Sequence, residues 1–153
     1  MKEILFKLNE FCGVNHIEYT VTGTTALSLL GAPSNLAPQD IDIRVHHLTE
    51  EQAKKLEELQ FLAGLKDERY EHGECFSFLI DGVKINAIID KTEDYDEILA
   101  QSVFVNLTDE ENAKHHLINV QLVKFALADK MKLRRSKDEN YLLNIIHNLT
   151  SLV

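Results

Sequence analysis

The stretch TGTTALSLLGAPSNLAPQDIDIRV, residues 22–45, constrains the fold of this chain more than any other. Its DIDIRV end (40–45) alternates, with Asp40 and Asp42 set against Ile41 and Ile43. Successive side chains of a strand point to opposite faces, so this strand needs an apolar core on one side and a polar environment on the other. Asp40 and Asp42 then project in parallel from roots about 7 Å apart. Two ionised carboxylates that close resist burial unless a positive charge lies between them. Such a pair can converge on one divalent cation or bracket two of them about 3.5–4 Å apart. Hard oxygen donors favour Mg²⁺ or Mn²⁺ over zinc.

The residues upstream bear on the same chemistry. IEYTVTG (17–23) alternates and is rich in β-branched and aromatic residues, so it reads as a strand ending at Gly23. Residues 24–31 read as a short helix, with Thr24 or Thr25 placed to cap it and Gly31 to end it. The free N–H groups at the start of a helix receive phosphate, and a residue without Cβ lets it approach closely. Thr24 and Thr25 add hydroxyls. The same turn is also a sound strand-to-helix connection without any ligand.

The remaining elements complete a mixed α/β (α+β) layer fold around a small sheet. Helical spacing is expected over 2–12, and over 49–61 with Thr49 and Gln52 as a capping box. CFSFLI (75–80) and VKINAII (83–89) flank Asp81-Gly82, a strong hairpin signal. A short helix near 94–100, a strand at 102–107 and a last strand over HHLINV (115–120) follow. Residues 120–134 read as helix, and Ser136 with Glu139 as a capping box opening a final helix to about 149.

The length of 153 residues suits a single domain, 1–153. No apolar run approaches the roughly 20 residues of a membrane span, and the N-terminus lacks a signal-peptide core, so a cytoplasmic protein without membrane partners is expected. Cys12 and Cys75 form no CxxC pair and are expected as reduced thiols. A net charge of −9 argues against broad nucleic-acid binding. Five of the 16 basic residues nevertheless fall in KMKLRRSK: Lys130, Lys132, Arg134, Arg135 and Lys137. A cationic patch on an acidic body suits a compact anion, and equally a solvated helix end.

GTTALSLLG…DIDI resembles the signature of the nucleotidyltransferase (polymerase-β-like) superfamily. It is most similar to the minimal and abortive-infection-type, toxin–antitoxin-like nucleotidyltransferases. Gly23, Thr25, Ala26 and Leu27 match that pattern, as do Asp40, Ile41 and Asp42; Thr24 stands where a second Gly or a Ser is usual. ADKMKLRRSKDENYLLNII is similar to the family's Lys…Arg-x-Lys-Asp element at Lys130, Arg135, Lys137 and Asp138. The resemblance implies transfer of a nucleoside monophosphate from a nucleoside triphosphate to a hydroxyl or phosphate of an acceptor. The acceptor (a small molecule, a protein or an RNA end), the base preference and the oligomeric state are not readable. It further implies Mg²⁺ or Mn²⁺ on Asp40 and Asp42, triphosphate against Gly23, Thr24 and Thr25, and phosphate charge met by Lys130, Arg135 and Lys137.

Three departures accompany the matches. Asn86, in GVKINAIID, takes the catalytic position where active members carry a third carboxylate. A neutral amide cannot act as a base and is a weak cation ligand. Asp90, about 14 Å further along by strand rise, is a poor substitute. The loop before Asp40 is long, and Tyr141 replaces a further Asp. A catalytically impaired nucleotide-binding, regulatory or partner-binding module is the alternative expectation. His46-His47 and His115-His116 are expected as exposed strand-end residues, and Tyr19, Phe76 and Phe78 as core.

Overall fold

The computed structural model describes residues 1–31, 39–66, 74–91, 93–133, 139–140, 142–145 and 147. For residues 60–66, 74, 129–130 and 132–133 it describes the backbone. The elements run α1 (Lys2–Val14), β1 (Thr20–Thr22), α2 (Gly23–Leu29), β2 (Ile41–Val45), α3 (Glu50–Glu57), β3 (Gln60–Lys66), β4 (Glu74–Ile80), β5 (Val83–Ile89), α4 (Asp94–Ala100), β6 (Val103–Asp109), β7 (Lys114–Val120) and α5 (Val123–Leu133). The strands form one sheet in the order β3-β4-β5-β2-β1-β7-β6. The expected mixed α/β architecture is present.

Alternation builds this sheet. β2 pairs parallel with β5, setting Ile41, Ile43 and Val45 beside Ile85, Ala87 and Ile89. The first five of these, with Val21, Ile118 and Val120, join Ile4, Leu5 and Leu8 of α1 and Leu56 of α3 in the main core. Burying aliphatic side chains of this size contributes about 1.5–3 kcal/mol each. A smaller cluster of Leu27, Ala126 and Ile145 joins α2 to α5. Residues 139–140, 142–145 and 147 are helical, as expected for the C-terminal segment. Ser136, its expected cap, lies outside the described residues. Among the described residues, no helix is long and apolar enough to cross a membrane.

Local signals fixed several elements. Asp81 and Gly82 both take positive φ, 49° and 79°, in the tight turn that joins Ile80 to Val83. The Thr49 hydroxyl accepts from the Gln52 amide, and the Gln52 side chain accepts from the Thr49 amide, a complete capping box. The expected helix over 49–61 is shorter than its pattern suggests. It ends at Glu57 because the chain from Gln60 pairs antiparallel with β4, forming an edge strand absent from the sequence reading. Sheet pairing, a non-local effect, outweighs the helical propensity of the EELQFL stretch.

Candidate functional site

The site grows from the turn between β1 and α2. Gly23 is the first residue of α2 and has φ 65°, a left-handed conformation that favours glycine. A β-carbon there would lie 2.8 Å from Asp42 Oδ2. The missing side chain of Gly23 thus makes room for the Asp42 carboxylate, which is seated at the opening of the helix, where negative charge is favoured. The residue capping α2 is Thr22, and it makes no side-chain cap bond. Thr24 and Thr25 therefore do not cap the helix as expected. Thr25 is buried, and its hydroxyl donates to the Asp40 carbonyl at 3.2 Å, tying α2 to the start of β2. Thr24 is half-buried on the first turn.

Strand register carries the site across the sheet. Thr22 is paired with Asp42, Asp42 with Asn86, and Asn86 with Ser77. This polar row crosses β1, β2, β5 and β4 on the face opposite the core of Ile41, Ile43 and Ile85. Asn86 Nδ2 donates to Asp42 Oδ1 at 2.8 Å, and Ser77 Oγ donates to Asn86 Oδ1 at 2.7 Å. Sequence reasoning placed Asn86 at this position but missed Ser77. Its signal was available: counting back from the Asp81-Gly82 turn, Ser77 falls opposite Asn86. Asp40 lies in a bend one residue before β2, not within the strand as expected.

Asp90 answers to a different partner. Arg44, one strand period beyond Asp42, donates from Nη1 to Asp90 Oδ2 at 2.6 Å. The two side chains are 4% and 0% exposed. A buried ion pair is stabilising only with good geometry and further hydrogen bonds. The Asp90 amide donates to the Val45 carbonyl, and its own carbonyl lies 2.8 Å from His46 Nδ1. The His46 ring stacks on Tyr95 of α4 at 4.9 Å between centroids. Burial, with Glu18 and Asp90 nearby, pushes the Tyr95 hydroxyl up to about 12. Asp90 thus ties the end of β5 to the end of β2 through Arg44, Val45 and His46.

The chemistry on offer is that of two aspartates at the head of β2 and a glycine turn. Among the described residues, no three His, Cys, Asp or Glu side chains cluster as a metal site. Asp40 and Asp42 carry hard carboxylate oxygens, a donor type that would fit Mg²⁺ or Mn²⁺. Lys130 belongs to α5, which packs against α2; Arg135 and Lys137 lie outside the described residues. His46, His47 and His115 are exposed, as expected. His116 is not: it is 4% exposed and stacks on Phe6 at 4.4 Å. The alternation of β7 turns it inward with Ile118 and Val120. Tyr19 and Phe78 are core, Phe76 is half-buried against it, and Cys12 and Cys75 are free buried thiols.

No protein-family profile and no curated protein matches the sequence. The chain is similar to several solved structures, among them those of two nucleotidyltransferase-like proteins. One is the crystal structure of a candidate nucleotidyltransferase from Thermotoga maritima, with TM-score 0.62 and 18% identity over 95% of this chain and 91% of that one. The other is an antigenic nucleotidyltransferase-like protein from Paracoccidioides brasiliensis, with TM-score 0.53 and 14% identity over 95% of this chain and 73% of that one. The polar row of Thr22, Asp42, Asn86 and Ser77 is therefore carried on a nucleotidyltransferase-like fold.

Proposed function

We propose that this chain is a nucleotidyltransferase-type protein that binds a nucleoside triphosphate with Mg²⁺ or Mn²⁺ and transfers its nucleoside monophosphate to an acceptor hydroxyl or phosphate. The observation that carries the reading is the seating of Asp42 against Gly23, which joins the cation-binding strand to the glycine turn. Asp40 and Asp42 hold the cation. Gly23, Thr24 and Thr25 meet the triphosphate, and Lys130, Arg135 and Lys137 offset its charge. The bound cation supplies charge neutralisation at the phosphates undergoing transfer. Thr25, through its bond to the Asp40 carbonyl, holds the two halves of the site in register. The acceptor is a small molecule, a protein or an RNA end.

A second reading is favoured by Asn86, whose amide nitrogen faces Asp42. It is a module that binds nucleotide without turning it over. The two are separated by pyrophosphate release from each of the four nucleoside triphosphates, with Mg²⁺ or Mn²⁺ and a broad acceptor panel. Release that disappears in Asp42→Ala supports the transferase. Saturable binding without release supports the module, and the absence of both binding and release rules out both readings.

A further inference from the structure

We infer that Asn86 is a positioning residue that fixes the Asp42 carboxylate and leaves this site with the capacity for one divalent cation rather than two. The inference rests on the nucleotide-site reading above and deepens it. Asp42 uses both carboxylate oxygens locally: Oδ1 accepts from Asn86 Nδ2 at 2.8 Å, and Oδ2 is seated against Gly23. The amide is held at its other end, where Asn86 Oδ1 accepts from Ser77 Oγ at 2.7 Å. Turning the amide over would set its carbonyl oxygen 2.8 Å from a carboxylate oxygen, acceptor against acceptor, so the negative charge of Asp42 holds the N–H₂ toward the site.

Donor type then sets the count. A cation that arrives with a triphosphate brings phosphate oxygens as ligands, whereas a second cation draws its ligands from the protein. The third position of the row presents N–H donors to that space, and no third carboxylate clusters there among the described residues. An N–H group repels a cation and cannot ligate it. Asn86 therefore takes the place of a second cation as the partner of Asp42 Oδ1. Ser77 keeps the amide in that orientation.

Mn²⁺ spin resonance tests this directly, using full-length protein, Mn²⁺ and each of the four nonhydrolysable α,β-methylene nucleoside triphosphates. Wild type is expected to saturate at one Mn²⁺ per protein with a single-ion spectrum. Asn86→Asp, confirmed folded by its thermal melt, is expected to take up a second ion and show the spectrum of a coupled pair. Two ions, or a coupled-pair spectrum, in wild type overturn the inference while leaving the nucleotide site standing. This result decides even if Asn86→Asp does not fold. A folded Asn86→Asp that stays at one ion also overturns it. No protein-bound ion in either protein, with any of the four analogues, overturns the nucleotide site and this inference together.

Discussion

Replacing Gly23 with alanine strikes the two features on which the site depends. The first cost is backbone: a residue with a side chain at φ 65° loses about 1–2 kcal/mol. The second is steric, because the new β-carbon would lie 2.8 Å from Asp42 Oδ2 and Asp42 must move. Moving it strains the charge-assisted bond from Asn86, a bond type that contributes about 1.5–3 kcal/mol. The expected total is about 2.5–5 kcal/mol, or a fall in Tm of about 5–20 °C for a domain of this length. Gly82→Ala is the control, because Gly82 has φ 79° with nothing within 4 Å of its β-carbon position. It should lose only the backbone cost. Urea denaturation of both variants measures the difference, about 1.5–3 kcal/mol, which belongs to Asp42. In an Asp42→Ala background, Gly23→Ala should fall to the cost of the control. If Gly23→Ala is no worse than Gly82→Ala, the seating of Asp42 against the turn is refuted.

Three further outcomes are expected. Arg44→Met removes the guanidinium from a fully buried ion pair with Asp90 and should destabilise by about 3–5 kcal/mol in urea melts at neutral pH, whereas a cost below about 1 kcal/mol would deny that the pair matters. Thr49→Ala removes the hydroxyl that accepts from the Gln52 amide in the α3 capping box and should cost about 1 kcal/mol, read from the same melts. Burial pushes the Cys12 thiol from 9.0 to about 12, so the folded state keeps its proton longer than the unfolded one. Its contribution to stability is fully present below pH 9.0 and is lost as pH rises toward 12. Stability measured across that window should fall more steeply in wild type than in Cys12→Ala, and equal slopes would contradict the burial.

What could be read from the sequence was what is encoded locally. The Asp81-Gly82 turn, the Thr49 capping box and the Ile41-Asp42-Ile43 alternation each depend on neighbours a few residues away, and each was legible. The helix over 94–100 was legible to its ends. β3 was not, because its strand state comes from pairing with β4 and not from its own pattern. The inward turn of His116 follows from the register of β7 under α1, where Phe6 supplies the partner for an otherwise polar ring. The Arg44–Asp90 pair joins residues 46 apart in sequence, and strand parity alone does not announce it. At the site itself, the sequence placed Gly23, Asp42 and Asn86 correctly in relation to one another. What it did not foresee is that the Asp42 carboxylate lies against the space left by the missing side chain of Gly23.

The central claim is that Asp42 and its turn form a cation-dependent nucleotide site, and a thermal melt with and without Mg²⁺ and each nucleoside triphosphate tests it most directly. At about 100 times Kd a ligand stabilises by about 2.7 kcal/mol. For a domain of this length that corresponds to a rise in Tm of roughly 5–11 °C. The account predicts such a rise for at least one triphosphate in wild type, dependent on the cation and absent in Asp42→Ala. An unchanged melting temperature with all four triphosphates, or a rise that survives Asp42→Ala undiminished, would contradict it.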